Sequence, residues 1–494
     1  MKLSALTQGV PFIPPEWDRE INHIHVDSRD VRAGDLFIAR CGSQQDGRTH
    51  INDAIQRGAI AVLAEGPVAF ECIGYEFVSG GVPVFSTPDL KSETPGWLQR
   101  RYNTNGELPL IAVTGTNGKS SVTQYIAQLA VAIEKKAGVL GTLGNGVWPE
   151  LAETRNTTPD LSVVARLLND MQQKQADLVA MEVSSHGIHQ GRIDGLVFET
   201  AVLTNLTQDH LDYHGDMEAY FAAKSSLFTD FSVKNALINI DDEYGVRLVK
   251  STAADTRIIT YGASKDAQVR YDDIKYCDGL LTANLYSPWG DGVVRLPLIG
   301  DFNLANTVAA ISVLCLHGFN FNQLLLAAEK LQPVAGRMEL YRRQVNAKTQ
   351  QAVVDFAHTP DALTNVMQAV NQSADNIALV FGCGGDRDRT KRPLMAQAAL
   401  DSKAQVWLTD DNPRTESAEQ IFSDVLSCPG SEHFSCEHDR SAAIQRACES
   451  DVELIVIAGK GHENYQDIAG VKQPYSDEAV LLKLGFEKAG GHDA

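Results

Sequence analysis

Residues 108–124 read LPLIAVTGTNGKSSVTQ, and the pattern changes character twice within them. Leu108 to Val113 is an apolar run of the length expected of a buried strand. Gly115-Thr116-Asn117-Gly118 is a tight turn, and Lys119-Ser120-Ser121 opens a helical pattern that continues through Tyr125, Ile126 and Leu129. Strand, glycine turn, lysine, hydroxyl and helix together make a phosphate cradle. Glycines let backbone N–H groups approach phosphate oxygens, and the helix N-terminus adds positive potential. In this reading Lys119 neutralises the terminal phosphates and Ser120 offers its hydroxyl to Mg²⁺. The first glycine of the usual phosphate-loop pattern is Val113 here, which leaves the shorter form T-G-T-N-G-K-S.

Working outward, the 494 residues leave room for about three domains. No apolar stretch reaches the roughly 18 residues of a membrane span. The first twenty residues turn polar and proline-rich too early for a secretory leader, so a cytoplasmic protein is expected. The eight cysteines are scattered without a C-x-x-C pair, which fits free thiols. Cys428, His433, Cys436 and His438 lack the paired spacing of a zinc site and read as a polar surface loop. A net charge of -20 argues against nucleic acid as a partner. A phosphorylated ligand must then be held by local Arg, Lys and N–H groups against the global field.

The first hundred residues read as a small α/β unit. Ile24 to Val26 is strand-like, Val31 to Ala39 is a turn followed by a strand, His50 to Gly58 a helix and Ala59 to Ala64 a strand. A helix is expected around Trp97 to Tyr102, followed by a boundary at Asn103 to Gly106. In the central part, a helix is expected from Asp160 to Gln175 and a strand from Ala176 to Val183 that breaks at Glu182. An acid at the carboxyl end of a parallel strand beside a phosphate loop suits Mg²⁺. The strand Ala201 to Leu206 ends in Thr207-Gln208-Asp209-His210-Leu211-Asp212-Tyr213-His214, a cluster suited to metal or phosphate work or to a solvated loop. The helix from Met217 to Phe228 places Met217, Tyr220, Phe221 and Phe228 on one face, with Lys224 among them. A bare ammonium buried there is costly, so Lys224 must snorkel, find an anion or be chemically neutralised. Asn303 and Asn306 lie one helical turn apart, placed to bond an adenine or to cap their helix.

Gly336-Arg337-Met338-Glu339 marks a second boundary. Beyond it four apolar strands, Ala352 to Phe356, Ile377 to Phe381, Gln405 to Leu408 and Leu454 to Ile457, each run into a polar loop. Helical stretches separate them, which predicts a parallel doubly wound sheet with the four loops at one edge. Arg387, Arg414 and Lys460 mixed with Asp411 and Glu463 suit a zwitterionic ligand such as an amino acid.

Taken together, T-G-T-N-G-K-S, E-V-S-S-H-G, T-N-L-T-Q-D-H-L-D-Y-H-G, G-x-F-N-x-x-N, G-R-M-E, D-F-A-H-T-P-D-A-L, G-C-G-G-D-R-D and G-K-G-H-E resemble the ATP-dependent Mur ligases of peptidoglycan synthesis, in the family's order over nearly the whole chain. The pattern is most similar to the branch that adds the third peptide residue, and the D-N-P-R at Asp411 to Arg414 to members adding meso-2,6-diaminopimelate. Lysine-adding members lack this Arg.

The resemblance implies an α/β protein of three domains: a small UDP-binding domain at 1–106, a central phosphate-loop ATPase with a mostly parallel sheet at 107–335, and a Rossmann-like doubly wound domain at 336–494. It implies that Val26, Ser28, Gln44, Gln45, Asn156, Thr157, Thr158, Ser184, Gln190 and Arg192 hold the UDP-N-acetylmuramoyl dipeptide. Gly115, Thr116, Asn117, Gly118, Lys119, Ser120, Ser121, Asn306 and Arg337 would bind ATP. Ser120, Glu182, His210 and Lys224 would hold Mg²⁺, with Lys224 as a carbamate, and Lys119 would join Glu182, His210 and Lys224 as catalytic. Arg387, Asp411, Asn412, Pro413, Arg414, Gly459 and Glu463 would bind diaminopimelate. The implied reaction is amide formation through an acyl phosphate by a monomer that closes over its substrates. Competing readings are a lysine-adding ligase, a folylpolyglutamate synthase-like enzyme and a non-catalytic nucleotide-gated module.

Overall fold

The computed structural model describes residues 1–42, 46–66, 70–75, 78–104, 107–277, 280–345, 348–372 and 374–489. The chain divides into two compact units. One comprises Met1–Ala112, Lys135–Ala201 and Ser226–Lys234; the other comprises Val113–Glu134, Val202–Ser225 and Asn235–Ala494.

The first unit opens on a five-stranded sheet, in the order Ile24–His25, Leu36–Ala39, Ala61–Glu65, Val78–Thr87, Phe70–Tyr75. The first four strands are parallel and the last is antiparallel. Alternate residues sort to opposite faces, as a period of two requires. Leu36, Ile38, Leu63 and Phe85 pack with Trp97 and Leu98, while Phe37, Ala39, Val62 and Val84 pack with Ala54 and Ile55. The helix carrying Trp97 begins at Leu90, earlier than the sequence pattern suggested. Asp89 caps it by accepting from Ser92 N, and Pro95 is accommodated inside it.

In the same unit, Ala137–Gly141 pairs in parallel with Leu178–Glu182 and forms a hairpin with Gly144–Val147. The second hairpin strand has no sequence signal because its G-N-G-V composition is poor in strand formers. The helix Leu161–Gln173 starts where expected, capped by Asp160, whose carboxylate accepts from Ser162 N and Val163 N.

In the second unit, the helix Lys119–Ala132 continues directly from the phosphate loop. Its Tyr125 hydroxyl donates to Asn303 Oδ1 at 2.9 Å, on the helix Asp301–Leu316. Asn303 also donates to Ile299 O at 2.8 Å, so it ties helices together rather than awaiting a base. On Met217–Thr229 the buried side chains are Tyr220, Lys224, Leu227 and Phe228. Met217 and Phe221 are only half-buried, so the apolar seam is rotated from the one the sequence predicts, with Lys224 still inside it.

The last third of the chain forms a seven-stranded sheet, in the order Ser435–Cys436, Gln405–Leu408, Ile377–Phe381, Leu454–Ala458, Lys348–Asp355, Glu339–Val345, Glu487–Lys488. The four expected strands are adjacent and mutually parallel. Separate apolar clusters cover the two faces, one with helices Pro360–Val370, Lys391–Asp401 and Ala418–Val425, the other with Arg440–Glu449 and Asp477–Lys483. The sheet is doubly wound, and its carboxyl-end loops share one edge. In the Cys428 to His438 segment, His433, Cys436 and His438 are exposed as expected of a surface loop, and Cys428 is not. Cys428 is buried with its thiol on Gln397 Oε1, and His438 Nδ1 pairs with Asp410 at 2.9 Å.

Beneath that edge Arg440 and Asp477 form a fully buried ion pair, with contacts of 2.8 and 2.9 Å. Removing one partner strands a buried charge. Asp477→Ala should therefore destabilise the protein by about 3–5 kcal/mol, read as a large fall in melting temperature. Arg440→Met/Asp477→Ala together should recover most of the loss.

Candidate functional site

The phosphate loop is built by two close backbone approaches. Gly115 has φ +148, and a Cβ there would fall 1.9 Å from Thr204 Oγ1. Gly118 has φ +86, and its Cβ would fall 2.6 Å from Asn306 Oδ1. The end of the strand Val197–Leu203 pins the loop. Thr116 N donates to Asn205 O and Asn117 N to Asn205 Oδ1, both at 2.9 Å, while Thr204 Oγ1 donates to Asn117 O at 2.6 Å. The Lys119 ammonium reaches back to Gly115 O at 2.9 Å and Thr116 O at 2.8 Å. Ser120 and Ser121 are buried at the helix start, and Arg337 Nη2 donates to Ser120 Oγ at 3.4 Å. A triphosphate fits this cradle: two glycines that cannot carry Cβ atoms, a helix N-terminus, a lysine and a hydroxyl.

Next to it stands the polar cluster after the same strand. Asp209 is buried and gathers one lysine and two histidines. Lys391 Nζ lies 3.1 Å from Oδ1, and His210 Nε2 and His358 Nε2 lie 3.3 and 3.5 Å from Oδ2. Burial alone would raise this carboxyl, but the His358 hydrogen bond and the charges on Lys391, His210 and His358 hold it well below the usual carboxylate range. Lys224 is buried with its Nζ 2.8 Å from Gly115 O and 4.8 Å from the Tyr220 ring centroid. Burial, with Lys119 nearby, pushes the Lys224 ammonium well below its ordinary value, against the pull of Asp209. Lys224 does not snorkel. It sits against the phosphate loop as an amine held toward its neutral form.

The loops of the last third reach this place. Asn117 Nδ2 donates to Asp361 Oδ2 at 3.1 Å, and Gln208 Nε2 donates to Asp388 Oδ2 at 3.2 Å and Thr390 Oγ1 at 3.1 Å. Arg387 and Arg414 flank Gly384, where a Cβ would lie 2.9 Å from Arg414 Nη1 and 3.7 Å from Arg387 Cγ. Pro413 O lies so close to Gly385 that only glycine fits there. Gly459, at φ +113, leaves room for Asp411, whose Oδ2 would stand 2.8 Å from a Cβ. Asn412 Nδ2 donates to Glu463 Oε2 at 2.9 Å. All seven expected amino-acid contacts thus come from converging loops of one sheet edge.

A second constellation lies in the first unit. Glu182 is buried at the end of its strand and accepts from Thr142 N at 2.9 Å and Thr142 Oγ1 at 3.2 Å. Thr142 Oγ1 also donates to Thr157 Oγ1 at 3.0 Å, and Thr158 Oγ1 bonds to both Glu182 O and Ser184 Oγ. Arg192 donates to Thr158 O at 2.7 Å and to Gln190 Oε1 at 2.6 Å. The Arg155–Asp30 ion pair, at 3.1 Å, ties the segment holding Asn156 to the turn holding Ser28, whose hydroxyl bonds Asp53 at 2.8 Å. Val26 is half-buried in the same core. Gln44 and Gln45 lie outside the described residues.

Sequence reasoning assigned no role to Thr142, His358, Asp361, Lys391 or the hairpin Tyr465–Ile468/Val471–Pro474. The hairpin holds Arg414 at φ +52, with Arg414 N on Asp467 O at 2.9 Å and Ala469 N on Arg414 O at 2.7 Å. The available signals for His358 and Asp361 were their place after a strand and within the D-F-A-H-T-P-D-A-L segment. Among the described residues no group of three His, Cys, Asp or Glu side chains forms a ready-made metal site. The donors at hand are hydroxyl, carboxylate, imidazole and the Lys224 amine, and the oxygen donors among them suit a hard cation.

Three family models match successive segments: the Mur ligase family catalytic domain at residues 20–94, the Mur ligase middle domain at 113–314 and the Mur ligase glutamate ligase domain at 336–461. The chain is 42% identical over 470 residues to the UDP-N-acetylmuramoyl-L-alanyl-D-glutamate--2,6-diaminopimelate ligase of Neisseria meningitidis serogroup A, covering 93% of each. A solved structure of a ligase of that same name is 37% identical, with a TM-score of 0.65 and 98% of each chain covered. A Mycobacterium tuberculosis folylpolyglutamate synthase shares the fold at 18% identity, with a TM-score of 0.60 over 73% of this chain and 91% of that one.

Gly115→Ala should abolish nucleotide binding in a folded protein, because its Cβ displaces Thr204 and the strand end that pins the loop. A fluorescent ATP analogue titrated against variant and wild type checks this. Binding within about threefold of wild type would mean the loop does not depend on that approach.

Proposed function

The chain belongs to the Mur ligase family, and from that premise we propose that it joins meso-2,6-diaminopimelate to UDP-N-acetylmuramoyl-L-alanyl-D-glutamate at the expense of ATP. The observation that supports the choice of amino acid is the meeting of loops at one sheet edge, which bring Asn412 onto Glu463, Asp411 beside Gly459, and Arg387 and Arg414 beside Gly384. A ligand with an ammonium and a carboxylate at its far end answers both signs of charge. Lysine offers only the ammonium there.

The free carboxylate of the dipeptide attacks the γ-phosphate of ATP, and ADP leaves. Lys119 and the N–H groups of Gly115 to Ser121 offset the charge that spreads over the transferring phosphoryl group. The acyl phosphate is then attacked by the diaminopimelate amine, and phosphate departs as the amide forms. Asn306 and Arg337 complete the ATP set. Thr157, Thr158, Ser184, Gln190 and Arg192, with Val26, Ser28, Gln44, Gln45 and Asn156, hold the UDP-linked substrate. The reaction calls for closure over the reacting groups to exclude water, which would hydrolyse the acyl phosphate.

Ser120, Glu182 and His210 are the proposed Mg²⁺ holders, and the cation supplies charge neutralisation at the phosphates when bound. Lys224 joins them as a carbamate. Its neutral amine attacks the carbon of CO₂ and loses a proton, which turns a costly buried cation into an anion. The domains are proposed at 1–106, 107–335 and 336–494, in a cytoplasmic monomer. No described helix is long and apolar enough to cross a membrane.

Phosphate release should require the UDP-linked dipeptide and should be faster with meso-diaminopimelate than with L-lysine by about a hundredfold or more. Equal rates, or a preference for lysine, would sink the amino-acid assignment. Lys119→Ala should remove turnover, and activity surviving within about tenfold would refute the phosphate assignment. Protein equilibrated with ¹³C-bicarbonate should show a carbamate carbon resonance that Lys224→Arg lacks; the same signal in both would place the carbamate elsewhere.

A further inference from the structure

Lys460 stands in the loop between Gly459 and Glu463, and the reaction above gives it no task. Its side chain is fully buried. The ammonium donates to Asn412 Oδ1 and Glu463 Oε2, both at 3.0 Å, and lies 3.6 Å from Asp411 Oδ1. The rings of Tyr465 and Tyr475 stand 5.6 and 6.0 Å from it. An ammonium has three donor positions, and burying it is tolerable only when they meet acceptors. The two hydrogen-bond acceptors and the nearby Asp411 carboxylate all belong to the amino-acid subsite, and they come from two different loops.

This arrangement has a consequence for charge as well as for shape. Asp411 and Glu463 bring two carboxylates to one place, and Lys460 supplies one cation between them. The sum is a single negative unit, the complement of one ligand ammonium. The ligand carboxylate is answered separately by Arg387 and Arg414, which lie beside Gly384. Without Lys460 the subsite would carry a second negative charge beside the place where that carboxylate must sit. Asn412 and Glu463 would also lose the donor they share.

We propose that Lys460 is a positioning and specificity-determining residue: by holding Asp411, Asn412 and Glu463 on one ammonium, it sets the subsite to one negative unit and so selects a ligand end bearing both ammonium and carboxylate. The proposal rests on the assignment of this cluster to the incoming amino acid. The same ammonium carries no contact to ATP or to the UDP-linked substrate in this scheme, so its effect is confined to one of three substrates.

Lys460→Met keeps the length and removes the charge. In the full-length enzyme it should raise KM for meso-diaminopimelate at least about tenfold and leave KM for ATP and the UDP-linked dipeptide within about twofold. The ratio of kcat/KM for meso-diaminopimelate over L-lysine should fall by about tenfold or more. Lys460→Arg, which keeps the cation, should keep that ratio within about threefold of wild type. Tyr465→Leu, which removes one ring from beside the ammonium, should shift KM for the amino acid in the same direction by less, and it serves if Lys460→Met does not fold. A folded Lys460→Met with unchanged amino-acid KM and unchanged ratio overturns the proposal, and so does a parallel rise in all three KM values. A wild type that does not prefer meso-diaminopimelate refutes the subsite assignment itself, a result distinct from either.

Discussion

A single buried carboxylate ties the phosphate loop's neighbourhood to the last third of the chain. Asp209 follows the strand whose end pins Gly115 to Asn117, and it collects Lys391 and His358 from two loops more than a hundred residues away. Left alone, a carboxylate buried to this degree would be driven toward its neutral form. Surrounded as it is, it stays ionised, and each side chain that stabilises it brings its own segment along. Gln208 with Asp388 and Thr390, and Asn117 with Asp361, close the same seam with hydrogen bonds donated by side-chain amides. The amino-acid loops hang from the same sheet edge, so their placement follows from this junction.

Cations are the other recurring theme. The protein carries a large negative net charge, yet Lys119, Lys224, Lys391, Arg337, Arg387, Arg414 and Lys460 lie in or beside the candidate sites. Each is handled differently. Lys119 is held on loop carbonyls, Lys224 is pushed toward neutrality, and Lys391 and Lys460 are paired with carboxylates. Local pairing rather than global charge decides what an anionic substrate meets. The Arg440–Asp477 pair beneath the same edge has a different use, since both members are sealed from solvent and Arg440 bonds to the strand end before Gly459.

Much of this was legible in the sequence because local rules sufficed. The apolar run, the glycine turn and the lysine dictate a strand, a loop and a helix whatever surrounds them. The four strands of the last third announced a parallel sheet, and parallel strands force their loops to one edge. The periodicity of Met217–Thr229 exposed Lys224 as a buried cation, although it misjudged which neighbours share its face. What stayed hidden was pairing across the fold. Thr142 gave no hint that it would bond Glu182, because its strand partner is chosen by sheet register and not by local composition. The hairpin that braces Arg414 was invisible for a similar reason, since Arg414 and Ile468 meet as an isolated bridge. Nor can spacing reveal that one ammonium, Lys460, serves three residues drawn from two loops.

The central claim is that the chain spends ATP to activate a carboxylate, and the fate of one oxygen tests it. With the acceptor carboxylate of the UDP-linked dipeptide labelled with oxygen-18, turnover in the presence of ATP and meso-diaminopimelate should deliver one labelled oxygen to each inorganic phosphate released. Phosphate that carries no label would mean that the bond from carboxylate to phosphorus never forms, and the account built on Lys119, Lys224 and the phosphate loop would be wrong.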